Sequence, residues 1–314
     1  QYITTEPMSK IALYQTSPTV KELASRQTDI EKRLQTLIEQ NMETFFGVRF
    51  LASEYTTSNG GRIDSLGLDE NNLPTIFDYK RSVSENAINQ GLFYLDWLLD
   101  HKADIRELVR NKLGEKTVKQ INTSSPRLIC IAADFTKYDI HAVNQIDRSI
   151  DLIRYQLYDN DLILFEQAYT KTAKPTPATS AKPASGSEQP KTRTGTGKDK
   201  SFAERKTALN PERRQLLDAT IDYLHSLGDD ISEQENKLYL AFKKIKNFAC
   251  LQLTNKSITL YLHLDPDKYH LQPGFTRDVR SIGHWGTGEL EITITDYASL
   301  EKAKPLMQES YLRG

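Results

Sequence analysis

Residues 170–201 limit the fold more than any other part of the chain. The stretch is built from Lys, Thr, Pro, Ala, Ser and Gly and almost lacks large apolar side chains. Such a run cannot bury enough surface to offset the entropy of ordering it. The sequence therefore predicts a flexible basic linker over 170–202 between two separately cored bodies, 10–169 and 203–314. Over 171–206, nine Lys and Arg face three Asp and Glu, while the whole chain of 314 residues carries a net charge of −1. A basic connector can graze a phosphate backbone or simply be solvated, and the overall charge favours neither.

Hydrophobic residues make up 38% of the chain, and no apolar run approaches the roughly 20 residues of a membrane-spanning helix. The polar start, residues 1–10, lacks the apolar centre of a signal peptide. The two cysteines, Cys130 and Cys250, lie in different bodies, each inside an apolar run. They read as buried, reduced thiols, and no His partners at short spacing support a zinc site. A cytoplasmic protein with no membrane partner is the expectation.

In the first body, apolar residues Ile30, Leu34, Leu37, Ile38, Met42 and Phe45 recur at helical spacing, predicting a helix from Thr28 or Asp29 to Phe46. Runs 48–55, 62–68 and 73–80 read as strands, with a turn at Asp69-Glu70-Asn71-Asn72. A long helix is expected over 84–109, a doubly buried strand over 128–135, a helix over 139–155 and a last strand over 162–167. This order is that of an α/β sandwich. In the second body, Asn210-Pro211-Glu212 opens a helix to about Leu227. Strands at 249–253, 257–264 and 289–294 and a closing helix over 300–311 make it a small α+β domain.

The chemistry gathers on the hairpin. A hairpin centred near Asn71 sets Asp64 opposite Asp78, with Cβ atoms about 5 Å apart. Two like charges so placed need compensation, and a divalent cation held by Asp64 and Asp78 supplies it, since Mg²⁺ takes one or two carboxylates plus waters and phosphate. Lys80, two residues from Asp78 on one strand, shares its face and can hold a phosphate or the attacking water. Gln90 and Tyr94, four apart on the next helix, share a face aimed at the same substrate. Arg62 and Arg81 flank the carboxylates and suit further phosphates. Glu31 can supply a third carboxylate, and Glu39 and Glu43 compete for that role without spacing to separate them.

The residues Gly60-Gly61-Arg62-Ile63-Asp64, Ile76-Phe77-Asp78-Tyr79-Lys80-Arg81 and Asn89-Gln90-Gly91-Leu92-Phe93-Tyr94 resemble the nuclease core of the PD-(D/E)xK superfamily. The likeness is greatest to the branch-point and mismatch endonucleases of the NucS kind. Covering roughly 28–167, it implies a restriction-endonuclease-like mixed sheet flanked by helices. It also implies Mg²⁺- or Mn²⁺-dependent hydrolysis of phosphodiesters in DNA, in phage defence, restriction or repair. By the same resemblance Glu31, Asp64, Asp78 and Lys80 form the metal and water site, supported by Gln90 and Tyr94. Asp78 stands where many relatives have Glu. The alternatives are a silent or partner-triggered sensor or adaptor on this fold, and an RNase; intact acidic and lysine residues favour an enzyme. Expected partners are nucleic acid, DNA ahead of RNA, with a homo-oligomer or a defence-system component allowed.

The second body is similar to a recurrent uncharacterised family sometimes labelled a predicted transport protein, through 239–249 and Ser281-Ile282-Gly283-His284-Trp285-Gly286-Thr287-Gly288-Glu289-Leu290. Nothing in the sequence supports transport. Trp285 reads as a packing residue and His284 as a structural donor, and His263, His270 and His284 are too scattered in sequence to argue for a metal.

Overall fold

The computed structural model describes residues 11–26, 31–80, 86–173, 200–254 and 256–314, with the side chains of residues 25, 26, 31, 86 and 87 excepted. Two compact units divide at Ala173/Lys174. The bulk of the expected linker, 174–199, lies outside the described residues, but its first residues do not belong to a linker. Thr170 and Lys171 end a strand and pair with Asp151 and Ile150.

The first unit is mixed α/β. Its elements run β1 (Leu13–Gln15), β2 (Lys21–Leu23), β3 (Ser25–Arg26), α1 (Glu31–Gln40), α2 (Met42–Phe46), β4 (Arg49–Thr56), β5 (Arg62–Leu68) and β6 (Pro74–Lys80). Then follow α3 (Asn86–Asp100), α4 (Lys102–Leu113), α5 (Glu115–Val118), β7 (Arg127–Ala132), α6 (Lys137–Gln145), β8 (Ser149–Tyr158) and β9 (Leu162–Lys171). Among the described residues a seven-stranded sheet runs β3-β8-β7-β6-β5-β4, with β9 also on β8. β6–β7 and β7–β8 are parallel, and the other pairs are antiparallel. The β5–β6 hairpin has the register read from its sequence, with Ser65 opposite Phe77 and Leu68 opposite Pro74. Its turn closes because Asp69 Oδ1 accepts the main-chain N–H groups of Asn71 and Leu73, while Asn72 takes a left-handed φ of 59°, which Asn tolerates. Buried Arg127 joins Asp69 at 3.8 Å and Asp151 at 2.5 Å, fixing the turn against β7 and β8.

Three expectations need correction. The first helix is two, because Asn41 interrupts it and turns its side chain back onto Leu37 O. The long second helix breaks at His101 (φ −110°, ψ 42°); its start, 81–85, lies outside the described residues. There the imidazole stacks on Trp97 at 4.4 Å and shares Ser58 with the Trp97 indole, which outweighs helical periodicity. The expected helix over 139–155 ends at Gln145, and 149–158 is strand β8. The first residues of β8 are buried whichever way they point, so no alternation marks them as a strand.

The second unit runs α7 (Phe202–Thr207), α8 (Pro211–His225), β10 (Ser232–Glu235), β11 (Leu240–Lys243), β12 (Asn247–Leu253) and β13 (Ile258–Leu262). After a 3₁₀ turn at Pro266–Lys268 come β14 (Thr276–Asp278), β15 (Leu290–Ile294) and α9 (Tyr297–Arg313). The strands form an antiparallel sheet in the order β10-β11-β12-β13-β15-β14. One core cluster joins Phe202, Leu216, Leu224, Leu251, Leu260, Ile292 and Met307 from the helices and the sheet. Asn210 caps α8 by accepting the N–H of Arg213. α7, β10, β11 and β14 were not anticipated, being short and without a clear period. Both cysteines are free and buried. Among the described residues no helix is long and apolar enough to cross a membrane.

Candidate active site at the end of β6

The β5–β6 ladder ends at the pair Ser65 and Phe77, and Asp64 and Asp78 are the next residue on each strand. Here the side chain takes over from the ladder: Asp64 Oδ2 accepts the N–H of Tyr79 at 3.2 Å. Burial raises the Asp64 carboxyl above its ordinary value; the Tyr79 N–H, Lys80 and Arg62 offset this in part. Asp78 is 1% exposed, and Lys80 Nζ lies 3.4 Å from its Oδ1. Asp64, Asp78 and Lys80 thus meet at the C-terminal end of β6.

α3 completes the group. Lys80 Nζ donates to Gln90 Oε1 at 3.0 Å, Gln90 Nε2 to the Tyr94 hydroxyl at 2.9 Å, and Arg62 N to the same hydroxyl at 3.2 Å. The helix sits close because Gly91 faces Leu128, where a Cβ would come within 2.4 Å of the leucine side chain. Cys130 is the β7 neighbour of Asp78, and burial, helped by Asp78, pushes its thiol well up.

α1 approaches β5 with a residue that sequence reasoning missed. Buried Gln35 donates to Asp64 O at 2.8 Å and to Glu39 Oε1 at 2.8 Å. Glu39 also accepts from Ser65 Oγ at 2.6 Å, and Ser65 accepts from Tyr79 at 3.0 Å. Glu39 is therefore committed to Gln35 and Ser65, and Glu43 is exposed on α2. Glu31 begins α1, one turn before Gln35, and its side chain lies outside the described residues. A signal for Gln35 was present: Glu31, Gln35 and Glu39 recur at i, i+4, i+8 on one helical face.

The flanking arginines are less informative. Arg62 is 64% exposed and its guanidinium lies 3.5 Å from Glu54. Glu54 holds a left-handed φ of 48° within β4 and also pairs with Lys32. Arg81 lies outside the described residues. Among the described residues no group of three or more His, Cys, Asp or Glu is placed to hold a metal ion. The two carboxylates, Asp64 and Asp78, are what the described site offers.

Residues 200–313 match a family described as a domain of unknown function, DUF5655. Over 304 residues the chain is 27% identical to an uncharacterized protein of Haemophilus influenzae, covering 93% of this chain and 96% of the relative. Among solved structures it is similar to a repair endonuclease from Pyrococcus abyssi, with 16% identity and a TM-score of 0.29 over 46% of this chain and 60% of that one. It is also similar to EndoMS in complex with double-stranded DNA, with 16% identity and a TM-score of 0.27 over 46% and 59%. The chain thus spans about three fifths of these structures.

Proposed function

We propose that the first unit is a metal-dependent endonuclease that hydrolyses phosphodiester bonds in DNA and serves phage defence, restriction or repair. The observation that carries this reading is the meeting of Asp64, Asp78 and Lys80 at the end of β6, backed by Gln90 and Tyr94. Two carboxylates and one ammonium leave the trio one negative charge in excess. Their hard oxygen donors suit Mg²⁺ or Mn²⁺, which is typically held by one or two carboxylates with the rest of its shell from water and phosphate. Asp64 and Asp78 would hold the ion, and Glu31 is the further carboxylate on offer. When bound, the ion supplies Lewis-acid stabilisation of phosphate charge and lowers the pKa of water.

The chain's own residues do the rest. Lys80 places its ammonium where charge grows on the phosphate oxygens. Gln90 fixes Lys80 by accepting from it, and Tyr94 fixes Gln90. The test is to incubate the full chain with single-stranded, double-stranded and branched DNA and with RNA, in Mg²⁺, Mn²⁺ or EDTA. Metal-dependent cleavage of DNA that is lost in Lys80→Ala supports the reading. Cleavage of RNA alone makes it an RNase, and no cleavage of any substrate leaves a binding protein on a nuclease fold.

A further inference from the structure

The second unit gathers another set of polar side chains, where three of its strands end. β13 and β15 pair with Leu262 opposite Leu290, so the next position sets His263 beside Glu289. His263 Nδ1 lies 3.4 Å from Glu289 Oε2. On the other side of the ring, His263 Nε2 lies 3.0 Å from Thr287 Oγ1. Asn247, at the start of β12, donates Nδ2 to the same hydroxyl at 3.2 Å.

The hydrogens can be assigned. A carboxylate only accepts, so His263 Nδ1 carries the proton facing Glu289. An amide NH₂ only donates, so Thr287 Oγ accepts from Asn247. His263 Nε2 is then the nearest acceptor for the Thr287 hydroxyl proton, nearer than Cys250 Sγ at 3.7 Å. Carboxylate, imidazole and hydroxyl line up with the polarity of a nucleophile, its base and the group that orients the base. His263 also holds the Glu289 carboxyl below its ordinary range, so it is the charged form that faces the ring.

Thr287 sits between two glycines with positive φ, Gly286 at 88° and Gly288 at 131°. A Cβ on Gly286 would come within 2.6 Å of Cys250 Cβ, and one on Gly288 within 2.7 Å of Leu262 N. The turn is therefore pressed onto the sheet and presents Thr287 in one geometry. The turn has an anchor of its own, since the Thr287 N–H donates to Cys250 Sγ at 3.3 Å; the hydroxyl relay is additional to it. The site is open to solvent, with the His263 and Glu289 side chains 27% and 43% exposed.

We propose that Glu289, His263 and Thr287 form a second active site that hydrolyses carboxylic esters, with Asn247 holding the Thr287 hydroxyl in place. Thr287 Oγ bonds to the ester carbonyl carbon and its proton passes to His263 Nε2. The ester C–O bond breaks and the alcohol leaves with that proton. Water then adds to the acyl carbon and gives a proton to His263. The bond between the acyl carbon and Thr287 Oγ breaks, Oγ regains the proton from His263, and the products are one acid and one alcohol.

The experiment treats the full chain with p-nitrophenyl acetate and, separately, with a fluorophosphonate probe followed by peptide mass mapping. The expected result is saturable ester hydrolysis and a phosphonylated peptide carrying the label on Thr287. Thr287→Ser keeps both signals, Thr287→Val abolishes them, and His263→Gln lowers turnover by about 100-fold or more. Thermal melting checks that each variant folds, and the wild-type label map needs no variant. A label absent from Thr287, or hydrolysis that survives Thr287→Val, overturns the proposal and leaves the cluster as a loop anchor.

Discussion

The carboxylate of Asp64 accepts the main-chain N–H of Tyr79 at 3.2 Å. This bond carries a β5 side chain across to the peptide that joins Asp78 to Tyr79, and so brings the Asp64 carboxylate to the end of β6. Burial already raises the Asp64 carboxyl, and Asp78 is almost wholly enclosed. An arrangement that gathers like charges out of water is costly unless a cation joins them. Lys80 supplies one positive charge, and the remaining excess is what the proposed metal ion would answer.

Lys80→Ala is expected to lower single-turnover cleavage at saturating Mn²⁺ by about 10²–10³-fold, the usual loss when one charge-stabilising group is removed. Mn²⁺ affinity should stay the same or tighten, because a protonated lysine is no ligand and its positive charge opposes the ion. Calorimetric titration beside the cleavage assay separates the two effects. Wild-type cleavage in this variant would remove Lys80 from the mechanism.

Asp78→Asn and Asp64→Asn should each weaken Mn²⁺ binding by at least about 10-fold, the lower end of what losing even an outer-sphere partner costs. Cleavage should fall with it and recover only in part at high metal. If both variants bind Mn²⁺ as the wild type does, the two carboxylates are not the metal site.

The placement of the candidate residues was legible because its signals are local. The register of β5 on β6 follows from turn residues Asp69–Asn72, and Gln90 and Tyr94 follow from helical spacing. What the sequence hid depends on partners far along the chain. β8 is buried whichever way its first residues point, so it shows no period. The break at His101 depends on Ser58 and Trp97, and the Thr287 cluster on strands that end together. His263 and His284 looked scattered in sequence, yet both act on Glu289 in the fold. Trp285, expected to pack, is 44% exposed, whereas the His284 ring stacks on Tyr261 at 4.2 Å.

Gln35→Leu removes the donor to Asp64 O without adding charge. Leaving that carbonyl and Glu39 short of a partner should cost about 1–3 kcal/mol, read as a lower denaturation midpoint. Because the bond holds the main chain of Asp64, Mn²⁺ affinity should fall as well. A variant that loses stability alone, with metal binding and cleavage unchanged, makes Gln35 purely structural.

Glu289→Gln tests the His263 pair through pH. The folded carboxyl lies below its ordinary 4.5, with the His263 hydrogen bond as the largest cause. Its stabilising contribution is therefore present above 4.5 and is lost as pH falls through the lower folded value. Denaturation midpoints of wild type and variant should differ at about pH 5 and converge on acidification. A gap that widens on acidification would contradict the ion pair.

Gly61→Ala probes how the turn before β5 serves the site. The turn is closed by main-chain bonds from Thr57 N–H to Gly61 O and from Gly60 N–H to Thr57 O, and the Gly61 N–H donates to Thr57 Oγ1. An added Cβ would lie 2.6 Å from a ring carbon of Tyr94 and 2.8 Å from Thr57 Oγ1. Tyr94 is buried and its hydroxyl accepts from both Arg62 N and Gln90. The ring must therefore shift, or the turn must open. Either movement disturbs Gln90, and through it Lys80. Overpacking of this kind costs about 1–3 kcal/mol. Cleavage should fall further than the stability loss explains at a temperature where the variant is fully folded. Tyr94→Phe is the companion variant: it deletes the shared acceptor and keeps the ring. If the hydroxyl matters through Gln90 and Arg62, Tyr94→Phe should reproduce the cleavage defect of Gly61→Ala without the steric loss of stability. Full cleavage by both variants would show that the Tyr94 link does not position Lys80.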